Sequence, residues 1–396
     1  MSTEKPIEVT KDEQQEMIKS VQIENDEEVE KISENLDETK ALYEDFSNFL
    51  LKKTEMKPDK GEKMTIPTGL DLLDAIMGGG FAIGALNIVV GAPGSGKTML
   101  AIKALGEGQR KYNGKMLAGF LDSEQSTTKI RLANLGVNLP PIDPYDKISV
   151  EKVFKFIEGL CLYKVDRDII ETPSAVVWDS IANTLSQKEK ETDDPNTVIG
   201  YKARLLSILV PKYVAKCAEH NICLIAVNQL REVLEMGRFA PAKDLKFMSA
   251  TKDMPGGQIL KYNSFHLIEM NVRKKLDADK YGFDGVMVKL KCVKNKLFPP
   301  NIEIDILGSF VTGFSNFWTN FHLLCETKRI ETGPWNLLKA YPEKKFRTKD
   351  AKDLYDTNED FREAFDKAAK EAIQVDIIDR YNQELVPLGE KTENKK

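Results

Sequence analysis

The chain has 396 residues, 41% hydrophobic and 30% charged, with a net charge of −5, enough apolar material for one large α/β domain with smaller appendages. Its longest nearly apolar stretch, residues 81–92, is broken by Gly and Asn and too short to cross a bilayer, and the start Met1-Ser2-Thr3-Glu4-Lys5 is unlike a signal peptide, so no membrane is expected and the cytoplasm is. Five scattered cysteines without a Cys-x-x-Cys pair or a His at ligand spacing suggest neither a disulfide framework nor a zinc site, but reduced and mostly buried thiols.

The first 60 residues hold 17 acidic against 9 basic side chains, which leaves the rest near +3, compatible with nucleic-acid binding without arguing for it. Residues 1–25 are polar and without period, and read as flexible. From Asp26 the apolar positions Val29, Ile32, Leu36, Leu42, Phe46, Phe49 and Leu50 recur at three-to-four spacing, the pattern of an amphipathic helix to about Lys53. A hydrophilic linker, 54–64, follows, and Ile66 to Gly80 then opens the globular body with a short helix closed by glycines. Three regions result: an acidic arm over 1–64, a core over 65–314 and a C-terminal region over 315–396.

Within the core, strand candidates alternate with helices: Asn87–Gly91, Lys115–Leu121, Ser174–Asp179 and Ile222–Asn228, with helices over Val150–Tyr163 and Val198–His220. That alternation predicts a doubly wound, mostly parallel sheet. Ser264–Arg273, Gly285–Asn295 and Asn301–Leu307 are joined by turn-rich segments without helices and are expected to finish the sheet as antiparallel strands. From Ser315 a mixed helical stretch runs to about Asn382.

Gly91-Ala92-Pro93-Gly94-Ser95-Gly96-Lys97-Thr98 spells G-x-x-x-x-G-K-[ST] between an apolar run and a helix-like stretch that opens on Met99. Glycines let successive backbone N–H groups curl around phosphates, the Lys reaches the β- and γ-phosphates and the hydroxyl holds Mg²⁺, so ATP with Mg²⁺ is the expected ligand. Ala175-Val176-Val177-Trp178-Asp179 supplies an Asp at the end of a hydrophobic strand, the second expected Mg²⁺ residue. Another apolar strand, ending Leu121-Asp122-Ser123-Glu124, lies between the two in sequence, and the sheet is expected to insert it between them in space. Glu124, just past that strand, is the expected base toward water, with Asp122 holding water behind it. Ala226-Val227-Asn228-Gln229 sets an amide where a γ-phosphate would lie.

The segment 232–262 is long, basic and aperiodic, and reads as a functional loop. Within it Arg238, Lys243, Lys246, Lys252 and Lys261 are candidates for DNA phosphates, and Phe247, Met248 and Met254 for wedging against bases. A shorter loop over 186–197 is acidic (Glu189, Glu191, Asp193, Asp194) and a poor DNA signal by itself.

In order, these elements resemble the RecA-family recombinases, nearest their phage UvsX-like branch, over about residues 65–340. Gly78-Gly79-Gly80-Phe81, the phosphate loop, Leu121 to Glu124, Asp179-Ser180-Ile181-Ala182-Asn183, Asn228-Gln229 and Val293-Lys294-Asn295-Lys296 carry the likeness, along with Gly313 to Trp318 and Gly333-Pro334-Trp335 in the C-terminal region. The resemblance implies a RecA-type P-loop core with a helical N-terminal arm and a small C-terminal α/β region. It implies filaments on single-stranded DNA, pairing with double-stranded DNA, strand exchange, and partners such as a single-strand-binding protein and a loader; a phage-encoded copy would act in the host cytoplasm. By position, Lys294 and Lys296 inherit contacts to the ATP of a neighbouring subunit, and the loops at 186–197 and 232–262 the places of the two DNA loops. Arg131 stands where bacterial members place a Tyr on adenine and can stack by its guanidinium. A hexameric helicase or branch-migration motor, and a non-catalytic accessory protein, are the alternatives on the same core.

Overall fold

The computed structural model describes residues 42–48, 63–140, 148–192, 194, 198, 200–232 and 252–382. Two units are compact by themselves, 1–62 and 63–396. Of the first, residues 42–48 form a helix, α1, with Leu42, Tyr43 and Phe46 exposed. The remainder of the helix expected over 26–53, and the polar stretch before it, lie outside the described residues.

The second unit opens with β1 (Thr65–Ile66), α2 (Asp71–Met77), which Gly78 closes, and β2 (Phe81–Ala82), paired antiparallel with β1. Then come β3 (Ala85–Gly91), α3 (Lys97–Lys111), β4 (Leu117–Asp122), α4 (Lys129–Asn134), α5 (Val150–Asp166), β5 (Ser174–Asp179), α6 (Gln187–Glu191), α7 (Tyr201–Glu219) and β6 (Ile222–Gln229). Every residue of β3 and β5 is buried, as expected of parallel strands covered on both faces, which read as unbroken apolar runs. The antiparallel pair β7 (Arg231–Glu232) and β8 (Lys252–Asp253) brackets residues 233–251. After α8 (Gln258–Asn263) come β9 (Ser264–Leu276), a one-turn helix α9 (Ala278–Tyr281), β10 (Gly285–Lys294), β11 (Ile302–Ser309) and β12 (Gly313–Phe314).

Eight strands form one sheet in the order β12-β11-β10-β9-β3-β6-β5-β4. β4, β5, β6, β3 and β9 run parallel, while β9 to β12 alternate antiparallel, so the mostly parallel sheet with an antiparallel finish is as expected. The expected insertion needs correcting. A strand does separate β3 from β5, but it is β6; β4, the strand that intervenes in sequence, is at the sheet's edge beside β5. Hydrogen-bond register with β3 decides that slot, and β6 takes it residue for residue from Ala85↔Cys223 to Gly91↔Gln229.

Helices cover both faces. Leu100, Ile102 and Leu105 of α3 pack on one with residues of the C-terminal helices; Val153 and Ile157 of α5 and Leu206 and Val210 of α7 pack on the other. The C-terminal stretch is less helical than expected. After α10 (Asn316–Glu326) a three-stranded antiparallel sheet, β13 (Ile330–Glu331), β14 (Asn336–Leu338) and β15 (Tyr341–Phe346), precedes α11 (Ala351–Thr357) and α12 (Glu359–Ile373). Phe317, Phe361 and Phe365 join these pieces, with the Phe317 and Phe365 rings stacked at 4.9 Å, so the region shares the apolar layer under α3. Four cysteines are buried, Cys325 partly so, and all five are free. No helix among the described residues is long and apolar enough to cross a membrane.

Candidate nucleotide site

β3 ends on Gly91 and α3 begins on Lys97, so residues 92–96 form the turn between a buried strand and a helix N-terminus. A Cβ on Gly91 would meet the Met270 carbonyl at 2.3 Å, and Gly96, at φ 85°, sits against the Phe314 ring, which an added Cβ would strike at 2.5 Å. The loop therefore needs glycine at both positions. No side chain caps α3, which leaves its first N–H groups and the positive end of its dipole for an anion. Ser95 Oγ is buried without a hydrogen-bond partner, and the Lys97 ammonium, 8% exposed, donates to the Ala92 carbonyl at 2.8 Å within the loop. Burial lowers the Lys97 pKa, against the pull of Asp179 and Glu124. A phosphate group fits this set: it would take up the orphan hydroxyl and the capless N–H groups and give the buried ammonium a charge partner.

Asp179, the last residue of β5, is 1% exposed, and Thr98 Oγ1 donates to its Oδ2 at 2.5 Å. Burial raises its carboxyl to about 6; the Thr98 hydrogen bond pulls down, the charges of Glu124 and Asp122 push up, and Lys97 pulls down. Two hard oxygens this close, one on a buried carboxylate, suit Mg²⁺.

Glu124 follows the edge strand, and its Oε1 accepts from Ser180 Oγ at 2.7 Å and Asn183 Nδ2 at 2.6 Å, while Gln229 Nε2 reaches the same atom at 3.5 Å. Asp122 does not face water. Its buried carboxylate accepts from the backbone N–H groups of Glu124, Ser126 and Thr127 at 2.9–3.0 Å and so folds the turn that presents Glu124. That role belongs to a strand-end carboxylate turned back on its own loop, and it corrects the expectation for Asp122. In the sequence Ser180 and Asn183 are only part of a run; their contact with Glu124 depends on β4 lying beside β5.

Pro93, Gly94, Met99, Arg131, Asp179, Glu124 and Gln229 line one cavity with Lys97 and Thr98. Its other wall is Ser309 at the end of β11, Phe310 in the turn after it and Phe314 of β12, which sequence reasoning misses because sequence separation hides their return to the phosphate loop. Lys294 and Lys296 do not line it. Lys294 Nζ donates to the Lys261 and Tyr262 carbonyls at 2.8 and 2.9 Å, and Lys296 lies over the Phe265 ring. Between them, Asn295 holds His266, which also bonds Asn87 of β3; burial lowers that imidazole to about 4.

Of the DNA candidates, Arg238, Lys243, Lys246, Phe247 and Met248 lie outside the described residues, as does the Lys252 side chain, although the Lys252 backbone, in β8, pairs with Glu232 of β7. Met254 cannot wedge against bases: it is 2% exposed and packs with Leu206 and Leu260 in the core. The start of the acidic loop is in fact α6, capped reciprocally by Ser186 and Glu189, which explains two of its polar residues as helix-start chemistry.

A family profile described as the RecA N-terminal domain matches residues 45–315. Protein RecA of Thermus thermophilus is 29% identical over 271 residues, covering 67% of this chain and 73% of that protein. Protein RecA of Aquifex aeolicus is 29% identical over 291 residues (70% and 77%), and Protein RecA of a Picosynechococcus species 29% over 318 residues (77% and 84%).

Proposed function

The chain belongs to the RecA family, an ATP-dependent recombinase and DNA-dependent ATPase, and from that premise we propose that it assembles as a helical filament on single-stranded DNA and exchanges strands with a homologous duplex. The observation that carries the reading is one pocket gathering Asp179, Glu124 and Gln229 from the ends of three parallel strands with Lys97 and Thr98 from the start of α3, the place where open α/β sheets bind ligands.

In the proposed mechanism the 91–98 loop wraps the phosphates through its N–H groups, and Lys97 exchanges its bond to the Ala92 carbonyl for one to a phosphate oxygen. Thr98 and Asp179 would hold Mg²⁺, which when bound neutralises charge on the β- and γ-phosphates. Glu124, oriented by Ser180 and Asn183, positions and deprotonates the attacking water. Gln229 shares the Glu124 oxygen and begins the chain's path into 230–253, so loss of the γ-phosphate is passed to the DNA segment. Arg131 stacks on the base. Lys294 and Lys296, turned away from their own pocket, serve the ATP of the next subunit, which makes the active site complete only in the assembly. A single-strand-binding protein and a loader are proposed partners, and the cytoplasm the proposed location.

A strand-exchange assay with negative-stain imaging, on single-stranded DNA with a non-hydrolysable ATP analogue, tests this reading. Filaments with joint molecules are expected. Closed hexamers that translocate would indicate a helicase, and nucleotide binding with neither outcome an accessory protein.

A further inference from the structure

We propose a divalent transition-metal site, separate from the nucleotide pocket, built by Asp305 of β11 with His322 and Glu326 of α10. One ligand atom from each residue lies within 4.8 Å of the others. His322 and Glu326, at i and i+4, share a face of α10, and that face packs on β11.

Two observations beyond proximity point to a missing ligand. The Asp305 side chain is 7% exposed; its Oδ2 accepts from Arg273 Nη1 at 2.7 Å, but its Oδ1 is buried with no hydrogen bond. His322 Nε2 is likewise buried without a hydrogen bond, although Glu326 Oε1 is 3.2 Å away and Asp305 Oδ2 3.7 Å. The Glu326 distance suffices for an N–H donor, yet no aligned bond forms, and the Asp305 oxygen is beyond hydrogen-bond reach. A ring nitrogen beside two carboxylates is a set of ligand atoms that one metal ion can share. Leaving such atoms unpaired in a buried place is costly, and one ion would satisfy both.

The spacing selects the class of ion. Zinc bound tetrahedrally at about 2.0–2.2 Å brings neighbouring ligand atoms to about 3.3–3.6 Å; here His322 Nε2 is 3.2 Å from Glu326 Oε1 and 3.7 Å from Asp305 Oδ2, with all three ligand atoms inside 4.8 Å, so a small contraction would seat the ion. One imidazole with two carboxylates suits Zn²⁺ or Mn²⁺ better than Ca²⁺. Glu326, 56% exposed, leaves an entry path and room for water in the fourth position. Arg273 anchors the Asp305 carboxylate from behind, as hydrogen-bonded partners of ligating carboxylates do. A bound ion would fasten β11 to α10 on both sides of the turn whose Ser309, Phe310 and Phe314 wall the nucleotide cavity.

The test uses full-length protein free of nucleotide and Mg²⁺, titrated calorimetrically with Zn²⁺ and spectroscopically with Co²⁺. A single equivalent of Zn²⁺ is expected to bind, and Co²⁺ to give tetrahedral ligand-field bands without thiolate charge transfer. His322→Gln and Asp305→Asn should each weaken Zn²⁺ at least about 10-fold, while Cys325→Ser, on the same helix, leaves it unchanged. Glu326→Gln, at a more exposed position, should weaken Zn²⁺ to a similar degree and keeps the test decisive if a core variant fails to fold. No binding, a thiolate signature, or undiminished affinity in the His322 and Glu326 variants overturns the proposal.

Discussion

Lys97 and Glu124 stand at the same pocket with different neighbours, and their substitutions should fail differently. Lys97 is buried in the loop that meets phosphate, so Lys97→Ala should abolish nucleotide-dependent DNA binding. Glu124 touches Ser180, Asn183 and Gln229 rather than the loop; Glu124→Gln should bind ATP normally and lower single-turnover hydrolysis by about 10²–10⁴. A normal rate in that variant would dismiss Glu124 as the base. Asp179 gives a pH-dependent prediction. Its folded carboxyl titrates near 6 against 3.8 ordinarily, so the nucleotide-free fold holds the proton longer than the unfolded chain. That contribution is full below 3.8 and lost as pH rises past 6, leaving the ionised, buried group destabilising by on the order of 3 kcal/mol at neutral pH. Asp179→Asn should therefore raise the melting temperature of the nucleotide-free protein at pH 7.5, with the gain vanishing near pH 4, while Mg²⁺-dependent hydrolysis is lost. An equal gain at both pH values would contradict the assignment. The loop residues, Asp179 and Glu124 were legible because each motif is local. The Glu124 partners and the Asp122 clamp were not, because they depend on which strand lies beside which.

At the scale of elements, apolar runs mark the strands to within three residues: Ser174–Asp179 has its observed bounds, Ile222–Asn228 falls one residue short, and Ser264–Arg273 stops three short of the end of β9. Alternation of strands and helices gave the parallel half of the sheet. Spatial order was another matter, since a run of Val and Ile carries no address and β6 rather than β4 won the place beside β3. Met254 shows the same limit from the other side: in a basic, aperiodic stretch it reads as a surface wedge, yet it turns inward immediately after β8. β7, which opens the bracket around residues 233–251, starts two residues past Gln229, which motivates a test of that segment's charge. Lys246→Ala and Lys252→Ala should each weaken single-strand binding and reduce the slope of log affinity against log salt by about 0.7. Phe247→Ala should impair strand exchange more than affinity. Unchanged affinity and slope in both lysine variants would remove this segment from the DNA interface.

The whole molecule carries one feature that its own pocket does not use: Lys294 and Lys296 lie beside Phe265 and the end of α8, bonded to backbone carbonyls and to a ring instead of a nucleotide. The proposed contact with a neighbour's ATP would account for both lysines through a head-to-tail interface that does not close, the geometry that generates filaments. The exposed apolar residues of α1, Leu42, Tyr43 and Phe46, suit an arm that anchors on the next subunit. Removing residues 1–53 should leave a core that binds ATP but sediments poorly with single-stranded DNA; full-length filaments from the truncated protein would exclude the arm as an assembly element. The central claim, that the ATPase site is completed by assembly, is tested most directly by the steady-state ATPase rate per chain on saturating single-stranded DNA, measured across a wide range of protein concentration. The rate is predicted to rise steeply and then level off, with Lys294→Ala holding it low at every concentration although ATP affinity persists. A rate per chain that is independent of concentration and indifferent to Lys294 would contradict the account.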